Sequence, residues 1–279
     1  MLKERVITAI ILAAVAVAAV ALLSPLALGW LFGAAVVVAL WEWSRLADLR
    51  APAYRGMYCT VGALLLVWLA RMTGVPGDEL HPDRVRQLLA VAVLWWALAL
   101  LLVKGYPGSA ALWGRTLPRM AMGLLTLLPA WLALLLLRVQ PHGQWLMLFL
   151  VGLVAAADIG AFFTGRALGR HKLAPSVSPG KSWEGLVGGV CAALLLALGV
   201  WLAVARDGGW LTLPALLAIA LTTVLASVLG DLAESMVKRH CGVKDSGTLL
   251  PGHGGVLDRL DSLTAAAPVF ALGLLLTLG

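Results

Sequence analysis

Charge is scarce in this sequence. Asp, Glu, Lys and Arg make up 13% of its 279 residues, against about 25% in a soluble globular domain. Cysteine is scarce as well: Cys59, Cys191 and Cys241 stand far apart with no CxxC pairing, which argues against a disulfide framework and a zinc site. No small-x-small cleavage site follows the first apolar block, Val6 to Leu23, so that block reads as a retained span and not as a removed leader. There is no GxxxxGK[ST] loop, no evident repeat and no appended polar domain. What remains is 61% hydrophobic and arranged in long blocks, the composition of a polytopic membrane protein.

A helix crossing the hydrocarbon needs about 20 mostly apolar residues. Nine stretches qualify, centred on 6–23, 26–43, 58–74, 88–103, 119–138, 144–163, 185–205, 212–232 and 262–279. The expected fold is therefore all-α, with N-terminal spans over 1–140 and a second region, 141–279, carrying polar loops at 164–184 and 233–261. With the N-terminus on the cytoplasmic side, Arg71, Arg84, Arg86, Arg138 and Arg206 are the only five of 21 Lys and Arg left outside. That asymmetry sets the N-terminus in and the C-terminus out, and both polar loops in the cytoplasm. The basic balance then reflects an anionic leaflet and not a nucleic acid partner. The twelve tryptophans read as interfacial anchors, and Trp95-Trp96 as lipid-facing or packing side chains.

Acidic residues crowd on this cytoplasmic side of the last four spans: Asp158, Glu184, Asp231, Glu234, Asp245, Asp258 and Asp261. Asp231 and Glu234 share a helix face by their i,i+3 spacing, with Ser235 and Lys238 beside them. Either a helix-end ion pair of Glu234 with Lys238 or a functional site fits that spacing. Carboxylates at membrane depth are costly unless paired or metal-bound, which favours function for Asp231. Asp158, inside an apolar helix, is expected to face the bundle interior.

The stretch KDSGTLLPGHGGVLDRLDS, 244–262, places five charges, a histidine and four glycines in nineteen residues. Gly252, Gly254 and Gly255 around His253 suit a loop whose amides approach phosphate oxygens. Asp258 and Asp261 repeat the i,i+3 spacing, with Arg259 between them. Hard oxygen ligands bind Mg2+, which prefers one or two carboxylates plus substrate phosphates, and the cations take the remaining phosphate charge. In the other loop, PSVSPGKSWEG supplies Ser176, Ser178, Gly180, Lys181 and Ser182, which suit phosphate or nucleotide binding. Glu184 there is either functional or a first-turn helix cap, and Lys181 either functional or a snorkelling interfacial lysine. His171 and His253 are acid–base candidates by type.

SMVKRHCGVKDSGTLLPGHGGVLDRLD, 235–261, resembles the signature of the phosphatidate cytidylyltransferase (CDP-diacylglycerol synthase) family, in which Ser, Lys-Arg, Lys-Asp, Pro, His-Gly-Gly and Asp-Arg-x-Asp recur at fixed spacings. PSVSPGKSWEG and DIGAFFTGRALG resemble its upstream segments, so the likeness is strong over 158–261 and only compositional before that. Gly180 departs from it, standing where many members carry Lys. The resemblance implies transfer of CMP from CTP to phosphatidate, giving CDP-diacylglycerol and pyrophosphate, with Mg2+ and a second cation such as K+, in a homodimer of the bacterial inner membrane. It implies metal binding by Asp231 and Asp258 with Asp261 in support, and catalytic parts for Lys244, Asp245 and His253. His253 would orient phosphate without removing a proton. Phosphate and nucleotide contacts would come from Ser178, Lys181, Ser182, Glu184, Lys238, Arg239, Gly254, Gly255 and Arg259. An ion-coupled transporter or a polyprenol-kinase-like enzyme are the alternatives. The crowding of polar residues at one face, not along a path across the bilayer, weighs against transport.

Overall fold

The computed structural model describes residues 11, 14–77, 80–204, 211–250, 252 and 254–278. Of the first expected span, residues 14–22 are helical, and residues 6–10, 12 and 13 lie outside the described set, as do Lys3, Arg5, Arg206 and His253. The helices are α1 (Pro25–Leu46), α2 (Pro52–Thr73), α3 (Pro82–Lys104), α4 (Ala110–Trp113), α5 (Thr116–Val139), α6 (Gly143–Leu168), α7 (Trp183–Val204), α8 (Leu213–His240) and α9 (Leu257–Leu278). Among the described residues, eight of them are long and apolar enough to cross a membrane.

Proline opens several of these helices, because its missing N–H is unneeded in a first turn and its φ is already helical. Pro25, Pro52 and Pro82 each sit at such a start. Ser24 adds a side-chain cap before α1, its Oγ accepting the Ala27 N–H at 3.2 Å. At the other end of α2, Gly74 takes the left-handed conformation and donates its N–H to Ala70 O, a standard way to close a helix C-terminus.

Two of the expected boundaries are corrected. The loop expected over 233–261 is shorter: α8 continues to His240 and α9 begins at Leu257, because Glu234 and Lys238 pair along the helix and keep its polar last turns wound. The loop expected over 164–184 begins only after Leu168 and folds as an antiparallel hairpin, β1 (Lys172–Ala174) against β2 (Ser178–Ser182), so among the described residues this small ribbon is the one sheet in a mainly helical fold.

The helices pack through small residues and large apolar ones in different places. Gly160 of α6 faces Ala192, Gly188 and Gly189 of α7, where an added Cβ would meet backbone. Apolar lipid gives little drive to associate, so this close approach supplies the van der Waals contact that holds the pair. The core runs through α5, α6 and α9, with Leu135, Leu136, Leu137, Leu150, Leu153 and Phe270 fully buried. Trp95 and Trp96 are buried packing residues, not lipid-facing ones. The connections after α1, α3, α6 and α8 gather at one end of the bundle. There Leu46 O accepts from Arg119, Val177 O accepts from Arg239, and His240 packs on Trp113.

Candidate functional site

Three elements build an acidic and basic cluster at that end: β2, the last turns of α8, and the 241–256 loop with the start of α9. Lys181 Nζ, carried at the end of β2, lies 2.7 Å from Asp231 Oδ2, and both side chains are partly exposed. Ser235, one turn on, donates its hydroxyl to Asp231 Oδ1 at 3.1 Å. Deeper, Lys238 Nζ bridges Asp258 Oδ1 at 2.7 Å and Glu234 Oε1 at 3.0 Å, with all three side chains buried. The i,i+4 spacing of Glu234 and Lys238 makes the second contact a property of the helix.

Asp258 organises the loop. Its carboxylate accepts the Ser246 N–H at 2.9 Å, the Gly255 N–H at 2.8 Å and the Ser246 hydroxyl at 2.9 Å, besides the Lys238 ammonium. Gly254 sits at φ 83, and a Cβ there would press on the Asp258 carboxylate, so glycine is required by both conformation and space. Leu250 N–H donates to Gly254 O at 2.9 Å and closes the loop on itself.

A residue far from the recognisable motifs completes the arrangement. Glu42 of α1, 4% exposed, accepts the Val256 N–H on Oε1 at 3.0 Å and the Leu257 N–H on Oε2 at 2.8 Å. The Ser246 hydroxyl lies 3.3 Å from Glu42 Oε2, so the two carboxylates, Glu42 and Asp258, share one hydroxyl proton. Sequence reasoning passed Glu42 by. Its signal was a lone carboxylate between two tryptophans in an apolar helix, an expensive placement that calls for partners.

The other expected residues are placed as follows. Asp261 is half-buried in the first turns of α9, taking the Ser262 N–H at 2.7 Å, and it shares with Glu234, Trp96 and Thr264 the wall of a cavity of about 10 Å3. Ser178 lies in β2. Ser182 is buried and caps α7, its Oγ accepting the Gly185 N–H at 3.1 Å. Glu184 does not cap α7. Its carboxylate instead accepts the Arg170 and His171 N–H groups and bonds His171 Nδ1 at 2.7 Å, clasping the turn between α6 and the hairpin. Asp158 is exposed, correcting the expectation of an interior position; it lines a groove of about 220 Å3 with Lys181 and Phe162. Lys244, Asp245, Arg239 and Arg259 are exposed. Among the described residues Lys244 and Arg259 form no ion pair, which leaves their charge available to an anion.

The donor set suits a hard cation. Among the described residues no group of three His, Cys, Asp or Glu side chains converges as a self-sufficient metal cage, yet Mg2+ needs only one or two carboxylates when substrate phosphates supply the rest. Asp231, Glu234, Asp258 and Asp261 stand against two ammonium groups, Lys181 and Lys238. That is a formal surplus of two negative charges, and buried Glu234 meets only the Lys238 ammonium on Oε1, its Oε2 having no hydrogen-bond partner among the described residues. Unmet negative charge in a buried place is the condition a cation relieves. Asp231 and Asp261 have the freer oxygens, since Asp258 is saturated by its donors.

The sequence model of the cytidylyltransferase family matches residues 3–277. The chain is 48% identical over 271 residues to a phosphatidate cytidylyltransferase of Pseudomonas aeruginosa, covering 97% of this chain and 96% of the relative. It is 44% identical over 286 residues to the protein of that name in Haemophilus influenzae, covering 97% and 98%, and 41% identical over 280 residues to that of Brucella suis, covering 97% and 92%. With a match that runs almost from end to end and this cluster at its centre, the chain belongs to the cytidylyltransferase family.

Proposed function

We propose that the chain is a CTP:phosphatidate cytidylyltransferase, making CDP-diacylglycerol and pyrophosphate at the cytoplasmic face of a bacterial inner membrane. The observation that carries this reading is the cluster itself: four carboxylates and two ammonium groups at the bundle end, beside a glycine loop fixed by the buried Asp258 and Glu42 carboxylates, which accept its Ser246, Gly255, Val256 and Leu257 N–H groups. Fourteen of the 18 Lys and Arg within the described residues lie at or near that end. This supports a cytoplasmic placement, with the nine spans and inward N-terminus that the sequence suggests. CTP and a lipid phosphate meet there without either having to cross hydrocarbon.

The reaction joins two anions. An ionised phosphatidate oxygen attacks the α-phosphorus of CTP, a new P–O bond forms, and the bond between the α-phosphorus and the bridging oxygen breaks to release pyrophosphate. A phosphate monoester has its second pKa near 6, so the nucleophile is already ionised near neutral pH and needs no general base. His253, accordingly, is assigned to orientation. The work left to the chain is positioning and charge neutralisation. Lys181 is exposed enough to leave Asp231 for a phosphate, and Lys244, Arg239 and Arg259 offer further positive charge at the surface. Lys238 is locked between Asp258 and Glu234 and holds the loop, so its electrostatic contribution reaches substrate through a fixed framework. Asp231 and Asp261, with Asp258 behind them, are the residues that would hold Mg2+, and K+ is the second cation proposed. A bound divalent ion would neutralise phosphate charge and stabilise the leaving pyrophosphate. A homodimer is part of the same reading, and nucleic acid is not.

The test is direct. Purified protein in mixed micelles, given CTP, phosphatidate and Mg2+, should release pyrophosphate and CDP-diacylglycerol together, and Asp258→Asn should remove both. Absence of product with the native chain, with Asp258→Asn behaving identically, would end this reading.

A further inference from the structure

We infer that Glu42 is a positioning residue for nucleotidyl transfer, binding the catalytic loop to α1 across more than 200 residues of sequence. This rests on the activity proposed above. The buried carboxylate meets the two backbone N–H groups at the entry to α9, Val256 at 3.0 Å and Leu257 at 2.8 Å. First-turn amides have no partner within their own helix, and a carboxylate placed there also gains from the helix dipole. Each oxygen takes one N–H, and Oε2 also faces the Ser246 hydroxyl, so the side chain cannot rotate without breaking both backbone bonds. Next to it, Gly247 and Gly255 leave no room for a side chain: a Cβ on either would overlap the Glu42 carboxylate. The loop therefore sits on Glu42 as on a fixed stop.

The consequence lies in what these amides precede. Asp258 follows Leu257 by one residue and is tied to Ser246 and Gly255, the residues that lean on Glu42. Moving the Glu42 carboxylate moves the start of α9, and with it Asp258, Asp261 and the glycine amides together. The Glu42 side chain is itself buried beneath the loop. It acts through the geometry of the loop, and misplacement on the order of 1 Å is enough to cost about 100-fold in a positioned reaction.

Glu42→Gln is the informative variant. It keeps size and shape but sets an NH2 against one of the two N–H groups. Glu42→Asp keeps the charge and withdraws it by one methylene. Initial rates with CTP and phosphatidate in mixed micelles give kcat and both KM values, and thermal unfolding of the same preparations gives the folded fraction. For both variants kcat per folded molecule should fall at least about tenfold, while KM for phosphatidate stays within about twofold and Asp fails to rescue. Ser246→Ala, a milder change that frees the shared hydroxyl contact, should lower kcat severalfold, and its loss should not multiply with that of Glu42→Gln, because both act on one contact set. A native kcat in Glu42→Gln, a deficit that vanishes once folded protein is counted, or losses that multiply in the double variant would each overturn the inference. An inactive native chain would instead refute the proposed activity.

Discussion

The two lysines of the cluster show how burial divides the work among residues of one type. Lys181 meets Asp231 where both are about one-third exposed, and an ion pair in that setting contributes at most about 1 kcal/mol. Lys181→Ala should therefore leave thermal stability within about 1 kcal/mol of native while lowering turnover by about 100-fold through lost phosphate neutralisation. Lys238 is the opposite case. Its removal strands Asp258 and Glu234, both buried, and breaking a buried pair in this way costs about 3–5 kcal/mol. Lys238→Ala should show that cost as a lowered unfolding midpoint, before any assay of activity. Outside the spans, Cys241 offers a smaller check. Burial pushes its thiol up despite Arg119 beside it, so thiolate becomes available only above the ordinary cysteine range. In a Cys191→Ser background, its maleimide labelling should stay slow at neutral pH and accelerate at higher pH than for an exposed cysteine.

At the scale of elements, the sequence exposed the spans well and their polar ends poorly. A run of some 20 apolar residues is an unambiguous signal, and eight of the nine expected spans coincide with described helices. The final turns of α8 were misjudged because hydropathy falls there, although Glu234 and Lys238 sustain the helix by pairing along it. The hairpin before α7 is held by Glu184 and a short ladder, neither of which has a periodicity to read. Asp231, Lys181, Lys238 and Asp258 were legible as a set, because charges in an apolar chain stand out. Glu42 was not, because its partners lie over 200 residues away and only the fold brings them to it. The α6–α7 contact is a further consequence of element packing. Gly160→Leu would force a side chain into Ala192 and the Gly188 carbonyl; overpacking of this kind costs about 1–3 kcal/mol, and should appear as a lower unfolding midpoint with kcat per folded molecule largely retained.

For the whole molecule, the arrangement places the charged cluster at one end of a helical bundle. That polarity has an observable form. Single cysteines placed at 172 and 244, in a background without the native three, should react with a membrane-impermeant maleimide only after intact bacterial cells are permeabilised, and one placed at 142 should react without permeabilisation. The reverse pattern would turn the bundle over and separate the cluster from cytoplasmic CTP.

The central claim is that CTP gives up its nucleotidyl group and not its terminal phosphate. Parallel reactions with CTP labelled at the α-phosphorus or at the γ-phosphorus, each with phosphatidate and Mg2+, decide it in one measurement. Label from the α position should enter the lipid and label from the γ position should leave as pyrophosphate. Lipid labelled from the γ position would contradict the account and make the chain a lipid kinase.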